Sequence, residues 1–196
     1  MNRRIFFSII GIVIFLCSFA VYFFVIKPNR EYKYLEINID ALRTSSEGFW
    51  LSHFNLSECE NMEEGYIDCY DKKLNIVNNY RIQFSDYVSE FFGRVEKTSF
   101  SKEKKQELNN IGRLLRDESD IFDDIYFNVT RPAKDKLITI QDLRKYNDLS
   151  LVANDINKIS DDLTKIHEDG QEKINKLREL QGKIKDEFSR VGIKYY

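Results

Sequence analysis

The chain is short of the residues that interrupt regular structure. Its 196 residues include only 2 prolines and 8 glycines. Sandwiches and barrels need a turn signal roughly every 8–12 residues, and collagen-like or linker-rich chains need far more of both residues, so those classes are excluded. Three cysteines are too few for a disulfide-built scaffold. The two histidines, His53 and His167, lie in no HExxH motif and in none of the Glu-x-x-His pairs of a di-iron bundle. No GxGxxG, P-loop or GxSxG sequence is present. A catalytic centre needs a constellation of groups, and none is legible, so a non-enzymatic protein without a cofactor is expected. There is no basic excess either. The 30 Lys and Arg face 32 Asp and Glu, a net charge of −2, which argues against a nucleic-acid partner.

What is present is distributed unevenly. Residues 5–26, IFFSIIGIVIFLCSFAVYFFVI, carry no charge. As a helix they would extend about 33 Å, enough for a hydrocarbon core of ~30 Å. Every acid and all bases but Arg3 and Arg4 follow, leaving residues 27–196 at a net charge of −4. A cleaved signal peptide is the competing reading, with Arg3 and Arg4 as its basic head and Ser18-Phe19-Ala20 as a cleavage site. The run exceeds a signal core of ~7–15 residues and continues past that site, which favours a retained signal anchor. Arg3 and Arg4 before the run and Lys27, Arg30 and Lys33 after it nearly tie by the positive-inside rule. Cys59 and Cys69 break the tie, because a disulfide between them would require an oxidising compartment. The expectation is a single-pass protein with its C-terminal part outside the cytoplasm, periplasmic or extracellular. Cys17, inside the run, reads as an ordinary apolar residue.

Beyond the anchor the apolar residues recur at helical spacing. Residues 31–43 either continue the membrane helix outward or form a short helix, with Leu35, Ile39 and Leu42 at compatible spacing, and 44–48 (TSSEG) read as a turn opening an irregular stretch to residue 70. A helix is predicted from Asp71, its N-cap, to Thr98, with Leu74, Val77, Phe84, Val88, Phe91 and Val95 along a seam interrupted by Arg81. After a turn at 98–101, a second helix should carry Leu108, Ile111, Leu115, Phe122, Ile125 and Val129, with Glu118 at a seam position, and stop at Arg131-Pro132. A third should start at a capping box, Thr139 to Asp142, and run along Leu149, Val152, Ile156, Ile159, Leu163 and Ile166. At Asp169-Gly170 the register slips before Ile174, Leu177, Leu180, Ile184, Phe188 and Val191. That slip reads as a reversal of the chain, the alternative being one helix passing through a stutter. His167 would then sit near a helix C-terminus, favourable for the dipole.

Stripes of six large apolar side chains, each worth ~1.5–3 kcal/mol when buried, must pack on one another or on a second copy. The expected fold is all-α: an N-terminal transmembrane helix followed by an elongated antiparallel helical bundle with coiled-coil-like seams. Its divisions are 1–26 (anchor), 27–70 (juxtamembrane helix and irregular acidic loop with the cysteine pair) and 71–196 (bundle). Arg81 and Glu118 set register or lie at a wet rim. Counted from Glu60, the acids and glycine up to Asp71 partly resemble a calcium loop, but Met62 stands at a ligand position, so no metal is expected. Asn55 and Asn128 open glycosylation sequons.

The one specialised surface in view is Phe49-Trp50-Leu51 beside the acidic loop, since aromatics concentrate at binding cores, although the same residues would also serve to cap a bundle. These features imply a tethered module with two partners, the lipid bilayer and another envelope protein, with self-association an option. A membrane-tethered sensor or regulator that binds a small ligand is the alternative.

Overall fold

The computed structural model describes residues 15–54 (backbone only at 53 and 54), 58, 59, 62, 64–145 and 152–195. Their regular structure is entirely helical. Residues 15–21 are helical and pass through a π-helical turn, Tyr22–Ile26, into α1 (Lys27–Phe54). Next come α2 (Tyr66–Lys97) and α3 (Lys102–Ile125). A second π turn, Tyr126–Thr130, leads from α3 into α4 (Arg131–Leu143), and α5 (Ala153–Arg190) follows. α1, α2, α3 and α5 are the four long rods, and α4 prolongs α3.

Neighbours run antiparallel. The start of α1 meets the end of α2, where Glu31 accepts from the amide and hydroxyl of Ser99 at 2.7 and 2.6 Å. The start of α3 meets the end of α5, where the Lys104 ammonium donates to Val191 O at 2.6 Å. Ser101 caps α3 by accepting from the Lys104 amide at 3.2 Å. α5 closes on Gly192, whose φ of 76° is the left-handed geometry a glycine adopts without strain, and Ile193 N donates back to Phe188 O. The core is continuous through all four rods: Leu35, Ile39, Leu42 and Phe49 of α1, the seams of α2 and α3, and Leu177, Ile184 and Phe188 of α5.

The seams predicted for α2 and α3 are buried as spaced. Several expected breaks are not there. The turn at 44–48 is helix, because Gly48 is a notch rather than a hinge: a Cβ there would stand 2.3 Å from the Tyr80 ring of α2. Gly112 accommodates Phe92 in the same way. α2 begins at Tyr66 after Gly65 (φ 71°), so Asp71 is not its N-cap and instead pairs with Lys134 of α4 at 2.8 Å.

Pro132 does not stop its helix. Both prolines of the chain stand two residues after a π turn, and the residue before each donates five residues back, Lys27 N to Tyr22 O and Arg131 N to Tyr126 O. The widened turn makes room for a ring that would otherwise strike the preceding turn. Thr139 opens no capping box. It lies inside α4, its hydroxyl donating to Asp135 O at 2.8 Å, and the chain instead breaks after Leu143.

No reversal occurs at Asp169-Gly170 either. α5 runs through as one helix of about 57 Å, and its buried stripe steps from Gly170 to Ile174 to Leu177, the stutter alternative. A Cβ on Gly170 would come within 2.9 Å of Val129 Cγ1, so the small residue keeps the rods in contact across the stutter. His167 is therefore mid-helix and exposed, not at a C-terminus.

Glycines without such neighbours give a contrasting expectation. Among the described residues nothing lies within 4 Å of a Cβ added at Gly93 or Gly182. G93A and G182A should each stabilise by about 0.5–1 kcal/mol through helix propensity. G48A should destabilise by about 1–2 kcal/mol, since displacing the Tyr80 ring outweighs that gain. Thermal melts of the three variants check both signs.

Among the described residues no helix is long and apolar enough to cross a membrane. Residues 5–14 of the uncharged run lie outside the described residues. Its remainder, 15–26, is helical and exposed at every position but the half-buried Ala20, with Phe24 at 81% and Phe15 at 67%. The first core residue of α1 is Leu35.

Candidate functional site

The aromatic trio singled out in the sequence divides on folding. Phe49 is fully buried, stacked on Phe122 of α3 at 4.2 Å between ring centroids, so it belongs to the core and not to a surface patch. The helix that continues through residue 48 turns this side chain inward. Trp50 is half-buried against the same core, and only Leu51 is well exposed, at 69%. Trp50 and Leu51 line an open cleft with Arg178 and Gln181 of α5.

Beneath that cleft is a polar centre inside the core. Glu118 of α3 is completely buried. Its Oε1 accepts from the Ser46 hydroxyl of α1 at 2.9 Å and from Gln181 Nε2 of α5 at 2.8 Å, and Gln181 Nε2 also lies 3.2 Å from Ser46 Oγ. Three rods thus meet on one carboxyl oxygen, while Oε2 has no partner among the described residues. Burial pushes the carboxyl up from the usual 4.5 to about 7, against the hydrogen bonds from Gln181 and Ser46 that favour the charged form. A seam acid marked Glu118 in the sequence, but only the fold shows it to be a core residue titrating near neutrality. Gln181 carried no signal, because it stands one place beyond the expected seam position Leu180.

Arg81, the other seam interruption, has a different fate. Its guanidinium pairs with Asp123 and lies over Tyr126 and Phe127, 5.2 and 5.0 Å from their centroids, at the edge of the second π turn.

The cysteine pair is joined. Cys59 and Cys69 form a disulfide with Cα atoms 5.8 Å apart, tying the loop before α2 to its first turns. Cys59, Tyr66 and Tyr70 make a second, smaller core with Leu137 and Ile138 of α4 packed against it. Tyr66 donates to Asp142 Oδ1 at 2.5 Å, and the Lys145 ammonium sits 4.9 Å above its ring. The disulfide closes a short loop, so C59S/C69S should lose about 2–3 kcal/mol of stability, readable as a lower urea midpoint.

Glu60, at the head of the calcium-like stretch, lies outside the described residues, as do Asn55 and the side chain of His53. Among the described residues no group of three or more His, Cys, Asp or Glu stands close enough to hold a metal. Asn128 is exposed on the second π turn, donating to Asp124 Oδ1 at 2.6 Å.

Comparison with protein-family models, curated proteins and solved structures finds no match to this chain.

Proposed function

We propose that the protein is a membrane-anchored interaction module without catalytic activity. The uncharged run 5–26 crosses a bilayer once, and the disulfide-bonded helical bundle stands outside the cytoplasm and engages another envelope protein. The observation that carries this reading is the exposed apolar helix of residues 15–26, which runs unbroken into a bundle rod and yet packs on none of the core. Large side chains exposed around a whole helix are stable only in an apolar surrounding. The π turn at Tyr22–Ile26 and Lys27 then mark the point where the helix leaves lipid. Tethering confines the bundle to the membrane plane and so raises its effective concentration near a partner in the same membrane. The contact surface of this reading is the cleft of Trp50, Leu51, Arg178 and Gln181.

A photo-crosslinker at position 51, in cells carrying the full chain, tests the reading. The expected result is one heterologous protein adduct, matched by an adduct from a probe at position 178 of the same cleft that Leu51→Asp abolishes. Labelling confined to copies of this chain would contradict it.

The second reading, a tethered sensor of a small ligand, draws on the Glu118 centre. A carboxyl titrating near neutrality where three rods meet is a point at which occupancy or protonation would shift helix positions.

A further inference from the structure

The chain is slightly acidic overall, but its charge is sorted along the rods. The end of the bundle adjoining the apolar helix is built from residues 27–34, 94–105 and 190–195. These segments are bound together by the contacts of Glu31 with Ser99, Lys104 with Val191, and Tyr32, whose hydroxyl donates to Gly192 O at 3.0 Å. They contain ten basic side chains and three acidic ones, a net charge of +7 on a protein whose total is −2.

Acids occupy part of the basic set: Glu31, within these segments, pairs with Lys27, and one or two turns further along the rods Glu90 pairs with Arg94, Glu107 with Lys104 and Arg190, and Glu187 with Arg190. Lys33, Lys97, Lys102 and Lys194 are exposed and make no ion pair among the described residues. Among the described residues Arg30 is bound only through the Tyr34 ring and hydroxyl. Tyr32 and Tyr34 sit among these cations, amphipathic rings of the kind that favour the headgroup layer. Unpaired cations cost self-repulsion unless counter-charge lies against them, and here they stand on the segments that adjoin the exit of a helix whose side chains need lipid.

We propose that this basic end is a docking face for anionic phospholipid headgroups, which hold the bundle close to the leaflet its anchor enters. The inference rests on the anchored reading above and adds a lipid preference to it. Each basic side chain near an anionic surface favours association by roughly five-fold, so the four free lysines together dominate the contact. Salt should weaken it, since the screening length falls from about 8 Å at physiological ionic strength to about 3 Å at 1 M.

Hydrogen exchange of the full chain in nanodiscs provides the test, comparing discs of phosphatidylcholine alone with discs holding about one-third phosphatidylglycerol. Amides of residues 98–102, which join α2 to α3 at this end, should exchange at least about five-fold more slowly in the anionic discs. Molar salt should remove the difference, and so should the variant K33Q/K97Q/K102Q/K194Q, while the protein stays in the discs throughout. Equal exchange in both discs, with the protein still inserted, would overturn the docking face and leave the anchor standing. Protein that fails to enter discs of either composition would overturn the anchor and the docking face together.

Discussion

Glu118→Gln should raise the stability of the protein by about 3 kcal/mol at pH 8 and change it little at pH 4.5. The carboxyl is held at about 7 in the fold against a usual 4.5. The folded chain therefore keeps a proton that the unfolded chain releases within that window. Stability from this group is complete below pH 4.5, falls as pH rises, and is gone above pH 7. Glutamine stays neutral at every pH and still offers an oxygen to Ser46 and Gln181, so the variant escapes the loss. For a chain of this size the gain corresponds to a melting temperature higher by roughly 6–12 °C at pH 8. Melting both proteins at the two pH values isolates the group, because other titrations cancel in the comparison. Parallel pH profiles would show that Glu118 keeps its charge in the folded core.

Phe122→Ala should cost about 3–5 kcal/mol. Phe122 is fully buried, stacked on Phe49 of α1 and set edge-on to Phe84 of α2 at 5.0 Å. Truncation removes contacts to both neighbouring rods at once, and the helices cannot close over the void because the Glu118 network lies one turn away. The urea midpoint should drop sharply with an unchanged slope. A loss below about 1 kcal/mol would mean that the three rings do not form the centre of the core. The same substitution tests where α1 belongs. If residues 44–54 belonged to an irregular stretch from 44 to 70, as read from the sequence, Phe49 would not reach Phe122.

That misreading shows where sequence legibility ended. Seams such as Leu108-Ile111-Leu115 were readable because burial on one face imposes a spacing that survives any tertiary arrangement. Chain breaks were not, since glycine and proline signal a break only in an isolated helix. Gly48 and Gly112 are small because a ring from the next rod enters there. Gly170 is small because Val129 does. Pro132 is tolerated because a π turn precedes it. Each reason resides in a neighbour or in backbone geometry that the local sequence does not display.

Of the candidate site, the disulfide was legible from the cysteine count and spacing. Trp50 and Leu51 were legible as apolar residues beside a polar stretch, and Glu118 as a charge in a seam. The inward turn of Phe49 agrees with the bundle-capping alternative, and the sequence left it undecided because it depends on the helix continuing through 44–48. The role of Gln181 was hidden because it stands one place beyond the seam position Leu180, half-buried between the cleft and Glu118.

The proposed anchor requires the helix of residues 15–26 to lie in lipid. The most direct measurement is flotation of the full chain, reconstituted in phospholipid vesicles and washed at alkaline pH, on a density gradient. The protein is expected to rise with the vesicles after the wash, as an inserted span does. Recovery of the intact chain at the bottom of the gradient, with empty vesicles above it, would contradict the account.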